Sequence, residues 1–233
     1  MHTGLQCTDS DFCHEIAGAD DTTFTSVYEG NPPGRIISSH AHFRLIADVS
    51  PLCVGHLLLL PMAHYLSFAD LVDSHHEELD AILHIVEPLY CETFGRLTVL
   101  EHGSSKGMRS SACISHAHWH LLPVDGHAVD AAITADSLHA ATFTDLKQIN
   151  AFSGTPYYLC GHEGSYRMYD GRNPIRSQYL RSVAGRILGI PTPLWDYALL
   201  IRKELLRETM TRTRDWKNAL DNPENRPPEP EQR

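Results

Sequence analysis

Apolar and polar positions change their spacing several times along this chain. Between residues 35 and 61 the apolar residues come in short runs: Arg35 to Ser38, Phe43 to Asp48 and Gly55 to Pro61. Runs of this length that alternate or cluster predict β-strands. The first two form a hairpin around His40-Ala41-His42, whose histidines flank the turn on the surface. From Asp70 to Phe94 the apolar residues fall at Leu71, Leu79, Ile82, Leu83, Val86, Leu89 and Tyr90. Steps of three and four predict a helix, which Pro88 should kink or close. Arg96 to Leu100 predicts a strand. The stretch Gly103 to Ser111 is polar, basic and rich in Gly and Ser. Its backbone N–H groups can cradle a phosphate with help from Lys106 or Arg109, and a flexible surface loop is the alternative.

Cys113-Ile114-Ser115-His116-Ala117-His118-Trp119-His120-Leu121-Leu122-Pro123 alternates strictly. A strand sends every second side chain to one face, so His116, His118 and His120 form a row. Ala117, Trp119 and Leu121 then point into a core. Further on, Tyr157 to Leu159 and Tyr166 to Tyr169 predict short strands around Gly161 and Gly164. Ser177 to Gly189 predicts a helix with Ser177 as N-cap and Gly189 just past its end. Trp195 to Ala219 predicts one long amphipathic helix, and the Pro- and Glu-rich tail from Asp221 predicts disorder. Strands and helices mixed in this way give an α+β class.

The chain has 233 residues, 42% of them hydrophobic, enough for a sizeable core. Nineteen Lys and Arg against 29 Asp and Glu leave a formal charge of −10. Such a chain is a poor general binder of nucleic-acid backbones, so any phosphate contact must be local. Six cysteines without a CxxC pair read as reduced thiols of the cytoplasm, with Cys53 and Cys91 in apolar runs. The N-terminus lacks a basic region followed by an apolar stretch, and the longest apolar run, Val54 to Met62, is too short to span a bilayer. Neither a membrane nor a nucleic-acid partner is expected.

Three readings compete for the histidine row: a His-rich solvated face, a metal site, and a nucleophilic imidazole with two helpers. The metal reading lacks a fourth ligand or a Glu base in a recognised spacing. His-Ala-His-Trp-His-Leu-Leu resembles the signature of the histidine triad (HIT) superfamily. Three more segments match that family in order. Phe43 to Pro51 is similar to its ribose-binding strand and turn, and Gly55 to His64 to its next strand. Leu100-Glu101-His102-Gly103 is similar to the strand end before its phosphate loop.

The resemblance implies a HIT-like antiparallel sheet with packed helices over residues 10–127, a mostly helical extension over 128–220 and a tail over 221–233. It implies that His118 attacks the α-phosphorus of a nucleotide, forming a nucleotidyl-histidine, while His116 and His120 flank the phosphate. The attacking ring must be neutral, with its far nitrogen held as a donor, which a backbone carbonyl can do. Asp48 is the candidate for the ribose hydroxyls and Val49, with Ile46, for the base pocket. Glu101 stands where the family often has Asn or Gln, Gly103 opens the phosphate loop, and Cys113 offers its backbone N–H.

In the extension, Gln178 and Arg181 lie three apart and can face one way from a helix, toward a phosphate or acceptor. This stretch is similar to extensions of larger bacterial members. Many bacterial members also hold a structural zinc through two cysteines three apart. Here Ser10 takes the first position, Cys7 is misplaced, and Cys13 is expected as a small packed residue, with no metal and no cofactor. The implied activity is a nucleotidyl hydrolase acting on a phosphoramidate, dinucleoside polyphosphate or similar conjugate. The intact His120 favours it, because the family's transferase branch usually carries glutamine there. A phosphorylase or nucleotidyltransferase of the diadenosine-polyphosphate type is the alternative, and a non-catalytic nucleotide- or metal-binding sensor is a third. A homodimer is expected by analogy.

Overall fold

The computed structural model describes residues 10–106, 114–173, 175–196 and 201–221. Within them, eight strands form one antiparallel sheet: β1 (Ile36–Ser39), β2 (Phe43–Ala47), β3 (Leu57–Pro61), β4 (Thr98–Gly103), β5 (Trp119–Leu122), β6 (Ala140–Phe143), β7 (Tyr157–His162) and β8 (Ser165–Asp170). Their spatial order is β1-β2-β3-β5-β4-β7-β8-β6. Among the described residues, seven α-helices pack around it: α1 (Asp11–Ile16), α2 (Thr23–Tyr28), α3 (Val72–Phe94), α4 (Gly126–Ala135), α5 (Tyr179–Ile187), α6 (Lys203–Arg212) and α7 (Trp216–Asp221). The fold is α+β with a helical C-terminal part, and that part also supplies three strands. None of the described helices is long and apolar enough to cross a membrane.

Period-two alternation sorts the core into two layers. Leu57, Leu59, Val99, Trp119, Leu121, Tyr157 and Leu159 face Leu79, Ile82, Val86 and Tyr90 of α3. Leu100, Leu122, Tyr158, Cys160 and Tyr169 face Val129 and Ile133 of α4 and Leu180 and Val183 of α5. Toward the other side of that second face, Phe12 of α1 covers Ile46, Leu58 and Leu60. Because both faces are covered, every residue of β3 is buried, and the strand reads as four consecutive leucines closed by Pro61.

Three local expectations change. Pro88 sits inside α3, which continues to Phe94. Buried Val86 and Tyr90 on either side of the proline anchor the helix to the sheet, so packing overrides the lost backbone bond. The predicted 195–219 helix is instead α6 and α7. The turn between them brings Trp216 edge-on to Tyr90 and Phe94, with Nε1 donating to Thr93 Oγ1 at 3.2 Å. Ser177 is not the N-cap of α5. That position falls to Gln178, in a left-handed backbone conformation at φ 53°. Gly189 does close α5, at φ +69°.

The edge of β4 facing away from β5 is taken by β7 of the same chain, in register from Val99 with Gly161 to Gly103 with Tyr157. Among the described strands, only β1 and β6 have a free edge.

Candidate active site

The histidine segment is a strand only from Trp119 onward. Its register pairs His120 with Leu58 of β3 and Leu100 of β4, so His120 stands on the face of α1, α4 and α5. His118 lies just before the strand, half-buried, with its ring 4.8 Å from that of His120 and 5.3 Å from Phe12. Its Nδ1 lies 2.7 Å from the main-chain oxygen of His116. A carbonyl only accepts, so Nδ1 carries the proton and Nε2 carries the lone pair.

The row is not uniform. The ring of His116 turns aside, with Nε2 2.8 Å from Pro61 O and Nδ1 3.3 Å from Cys13 Sγ. Both ring nitrogens therefore have protein partners, and His116 meets His118 through its carbonyl. The segment leaves strand geometry before Trp119, and strict alternation lapses there.

A fourth histidine sets the tautomer of His120. His56 is fully buried at the entrance to β3. Its Nδ1 accepts from Leu52 N–H at 3.1 Å, so its Nε2 is the donor. That Nε2 lies 2.9 Å from His120 Nδ1 and 3.3 Å from Asp48 Oδ2. With His120 Nδ1 as acceptor, its Nε2–H is a donor beside the lone pair of His118.

Asp48 is buried at the centre of this network. Its Oδ1 accepts from Ser50 N–H at 2.6 Å, and Arg181 Nη1 approaches Oδ2 at 3.3 Å. Arg181, from α5, also donates to Ser50 O at 2.8 Å. Burial alone would raise the Asp48 carboxyl, but His56, Arg181 and the Ser50 N–H outweigh it and hold it below its ordinary value. Burial lowers all the rings. His56 and His116 fall to about 4 and His102 to about 3, while His118 and His120 are shifted the same way. At neutral pH the site holds neutral imidazoles around one buried ion pair.

The remaining candidates divide. Glu101 lies opposite the triad. It shares the α3 face with Trp119, and its carboxylate accepts from Phe68 N–H (2.8 Å), Trp119 Nε1 (2.9 Å) and Tyr157 OH (2.7 Å). Its expected place beside substrate is corrected: strand parity turns it into the core. The next residue, His102, faces the site instead and accepts from Leu180 N–H of α5 at 3.0 Å. Counting parity from Leu100 would have selected His102, and the histidine in Gly55-His56 was a signal for the other missed residue. Gly103 is fixed by packing, since a Cβ there would meet the Tyr157 ring at 2.3 Å. Val49 packs against the α3-side core and its carbonyl accepts from Tyr28 OH at 2.8 Å. Gln178 donates to Asp196. Cys113 and Arg109 lie outside the described residues, and Lys106 is exposed.

Cys13 does more than fill space. Its Sγ lies 3.3 Å from His116 Nδ1 and 3.4 Å from His64 Nδ1, and the three donor atoms lie within 4.8 Å of one another. Ser10, one helical turn earlier, has a buried Oγ with no hydrogen-bond partner. One thiol and two imidazoles suit a zinc-like ion, so these residues fit such a group.

No protein-family model matches the chain, and no curated protein matches it. Several of the solved structures it is similar to are described as histidine triad or HIT proteins. One from Clostridium difficile is 20% identical over 51% of this chain and 92% of that one, with a TM-score of 0.34. A HIT family member from Bacillus subtilis is 20% identical over 49% of this chain and 72% of that one, with a TM-score of 0.37. A hypothetical histidine triad nucleotide-binding protein from Sulfolobus tokodaii is 15% identical over 81% of this chain and 91% of that one, with a TM-score of 0.33.

Proposed function

We propose that this chain is a histidine-triad enzyme that cleaves a nucleotide conjugate at its α-phosphate in two steps. The observation that carries this reading is the His116 carbonyl 2.7 Å from His118 Nδ1, which leaves Nε2 as the nucleophilic nitrogen. In the first step, His118 Nε2 forms a bond to the α-phosphorus and the bond to the leaving group breaks. His120 Nε2–H is the proposed donor to the charge that develops on phosphorus and the departing atom, a role supported by its ring lying 4.8 Å from that of His118. In the second step water attacks, the N–P bond breaks, and the nucleoside monophosphate leaves with His118 restored. Splitting one displacement into two helps because imidazole is both a good nucleophile and a good leaving group at phosphorus.

Asp48 is proposed to meet the ribose hydroxyls, with Arg181 and the Ser50 N–H holding its carboxylate ionised. The guanidinium of Arg181, brought into the site from the C-terminal half, supports a second reading in which inorganic phosphate replaces water as acceptor. Cys13, His64 and His116 would hold a zinc ion, which when bound would clamp α1 to the triad segment.

The test is intact-mass analysis after non-acidic quenching with nucleotide conjugates, with and without phosphate. A mass increase of one nucleoside monophosphate, absent in His118→Ala, is the expected result. The product formed with phosphate present separates hydrolysis from phosphorolysis. His118→Ala should abolish turnover while nucleotide affinity stays within about tenfold, because the lost interaction belongs to the transition state. Undiminished turnover in that variant would overturn the mechanism.

A further inference from the structure

On the same face of the sheet as the triad, at the turn end of the β7–β8 hairpin, a second histidine cluster joins that hairpin to the start of α4. His127, His162 and Glu163 place one ligand atom each within 4.8 Å of the others. We infer that these three residues bind a divalent cation of the zinc class, with Asp130 as the carboxylate that positions His162.

The tautomer of His162 carries the argument. Asp130 is only 3% exposed, and its Oδ2 lies 2.7 Å from His162 Nε2. Its other oxygen accepts from Tyr169 OH at 2.8 Å, and Arg167 Nε approaches Oδ2 at 3.1 Å. Held between a phenol and a guanidinium, the carboxylate fixes a proton on His162 Nε2. The lone pair is then on Nδ1. A carboxylate behind a histidine whose other nitrogen is free is the arrangement that orients imidazoles on metals and makes them better donors.

The backbone brings the other two donors to that ring. A Cβ at Gly126 would lie 2.3 Å from the His162 ring, so the first turn of α4 can rest directly on it. His127, the next residue, then stands edge-to-face with His162, with centroids 4.6 Å apart. Glu163 occupies the two-residue turn between His162 and Ser165 at φ 49°, a left-handed conformation that favours Gly, Asn or Asp. In that turn its Oε2 lies 3.1 Å from His127 Nε2. Donors around a tetrahedral zinc at 2.0–2.1 Å are about 3.3 Å apart, so this spacing needs little adjustment.

Two imidazoles and one carboxylate select zinc or a late transition metal over magnesium or calcium, which want oxygen donors. The side chains of His127 and Glu163 are 63% and 76% exposed, so an ion can enter and keep water as its fourth ligand. Bound there, it would staple the β7–β8 hairpin to α4. The site is independent of the nucleotidyl chemistry proposed above.

The test is zinc titration of the chelator-treated full chain by calorimetry, with the thermal midpoint as a second readout. His127→Ala and Glu163→Gln should each weaken one equivalent of zinc by at least tenfold. Asp130→Asn should weaken the same equivalent by about 10–100-fold. Cys13→Ser and His42→Ala, which alter two of the other four His-containing clusters among the described residues, should leave it in place. Zinc should raise the thermal midpoint of the parent by more than that of the His127→Ala, Glu163→Gln double variant. Equal affinity, stoichiometry and thermal shift in the parent and the double variant would overturn the proposal. So would a parent chain with no equivalent of zinc beyond those lost in Cys13→Ser and His42→Ala. The two exposed positions make this comparison decisive even if Asp130→Asn fails to fold.

Discussion

His118 owes its orientation to one carbonyl and its neutrality to burial, and both have a measurable consequence. A lowered imidazole pKa keeps the ring unprotonated down to a pH below the ordinary value of about 6.5. If His118 is the nucleophile, the acid limb of kcat/KM should have its midpoint below 6.5 in a pH–rate profile, and a midpoint at or above that value would contradict the role. A second prediction concerns His56. Its Nε2–H holds His120 Nδ1 as acceptor, so His56→Ala frees His120 to take the other tautomer. The expected result is a fall in kcat of about tenfold or more, within the range of a misplaced proton donor, with KM changed less. Equal kcat in parent and variant would remove His56 from the machinery.

Among the elements, the junction of β4, β5, β7 and the approach to α3 depends on Glu101. Three donors converge on one carboxylate: Phe68 N–H, Trp119 Nε1 and Tyr157 OH. Burial pushes this carboxyl up to about 7 despite those bonds. Glu101→Ala leaves three buried donors unpaired, each costing about 1–3 kcal/mol. Urea unfolding should therefore show a loss of about 3 kcal/mol or more, and a loss below about 1 kcal/mol would mean that the donors find other partners. The same parity that buries Glu101 presents His102 to the site. A strand covered on both faces makes each residue choose a layer, and β4 places its acid against α3 and its histidine toward α5.

Across the whole molecule, the C-terminal half completes the first. β7 occupies the edge of β4, and Arg181 reaches Asp48 across 133 residues of sequence. Arg181→Ala would leave the buried Asp48 without its guanidinium. The expected cost is about 3–5 kcal/mol of stability by denaturant unfolding, the size seen when one partner of a buried pair is removed. Acid should act on the same region. His56, His102 and His116 have folded pKa values of about 4, 3 and 4, so the unfolded chain binds more protons below about 6.5. Their contribution is whole above 6.5 and is lost as pH falls toward 4. Glu101, raised to about 7, works in the opposite sense, losing its contribution as pH rises through 7. Three groups outweigh one, so the thermal midpoint should rise from pH 4.5 to 6.5. A flat or falling profile would contradict the burial of these rings. A homodimer built by sheet extension would have to use β1 or β6, the free edges among the described strands.

Local sequence determined what a period of two or of 3.6 can specify. The β1–β2 hairpin, the length of α3, the strands β7 and β8, and the inward faces of Trp119 and Leu121 were all legible there, because each depends on neighbours a few positions away. The alternating histidines were legible for the same reason. Tertiary structure decided the rest. It turned His116 onto Cys13 and Pro61, carried α3 through Pro88, and bent the chain between α6 and α7 to seat Trp216. It also set Arg181 beside Asp48 and covered β4 with β7. These outcomes depend on which surfaces meet after the sheet has closed its layers, and no local spacing encodes a partner that lies tens to more than a hundred residues away.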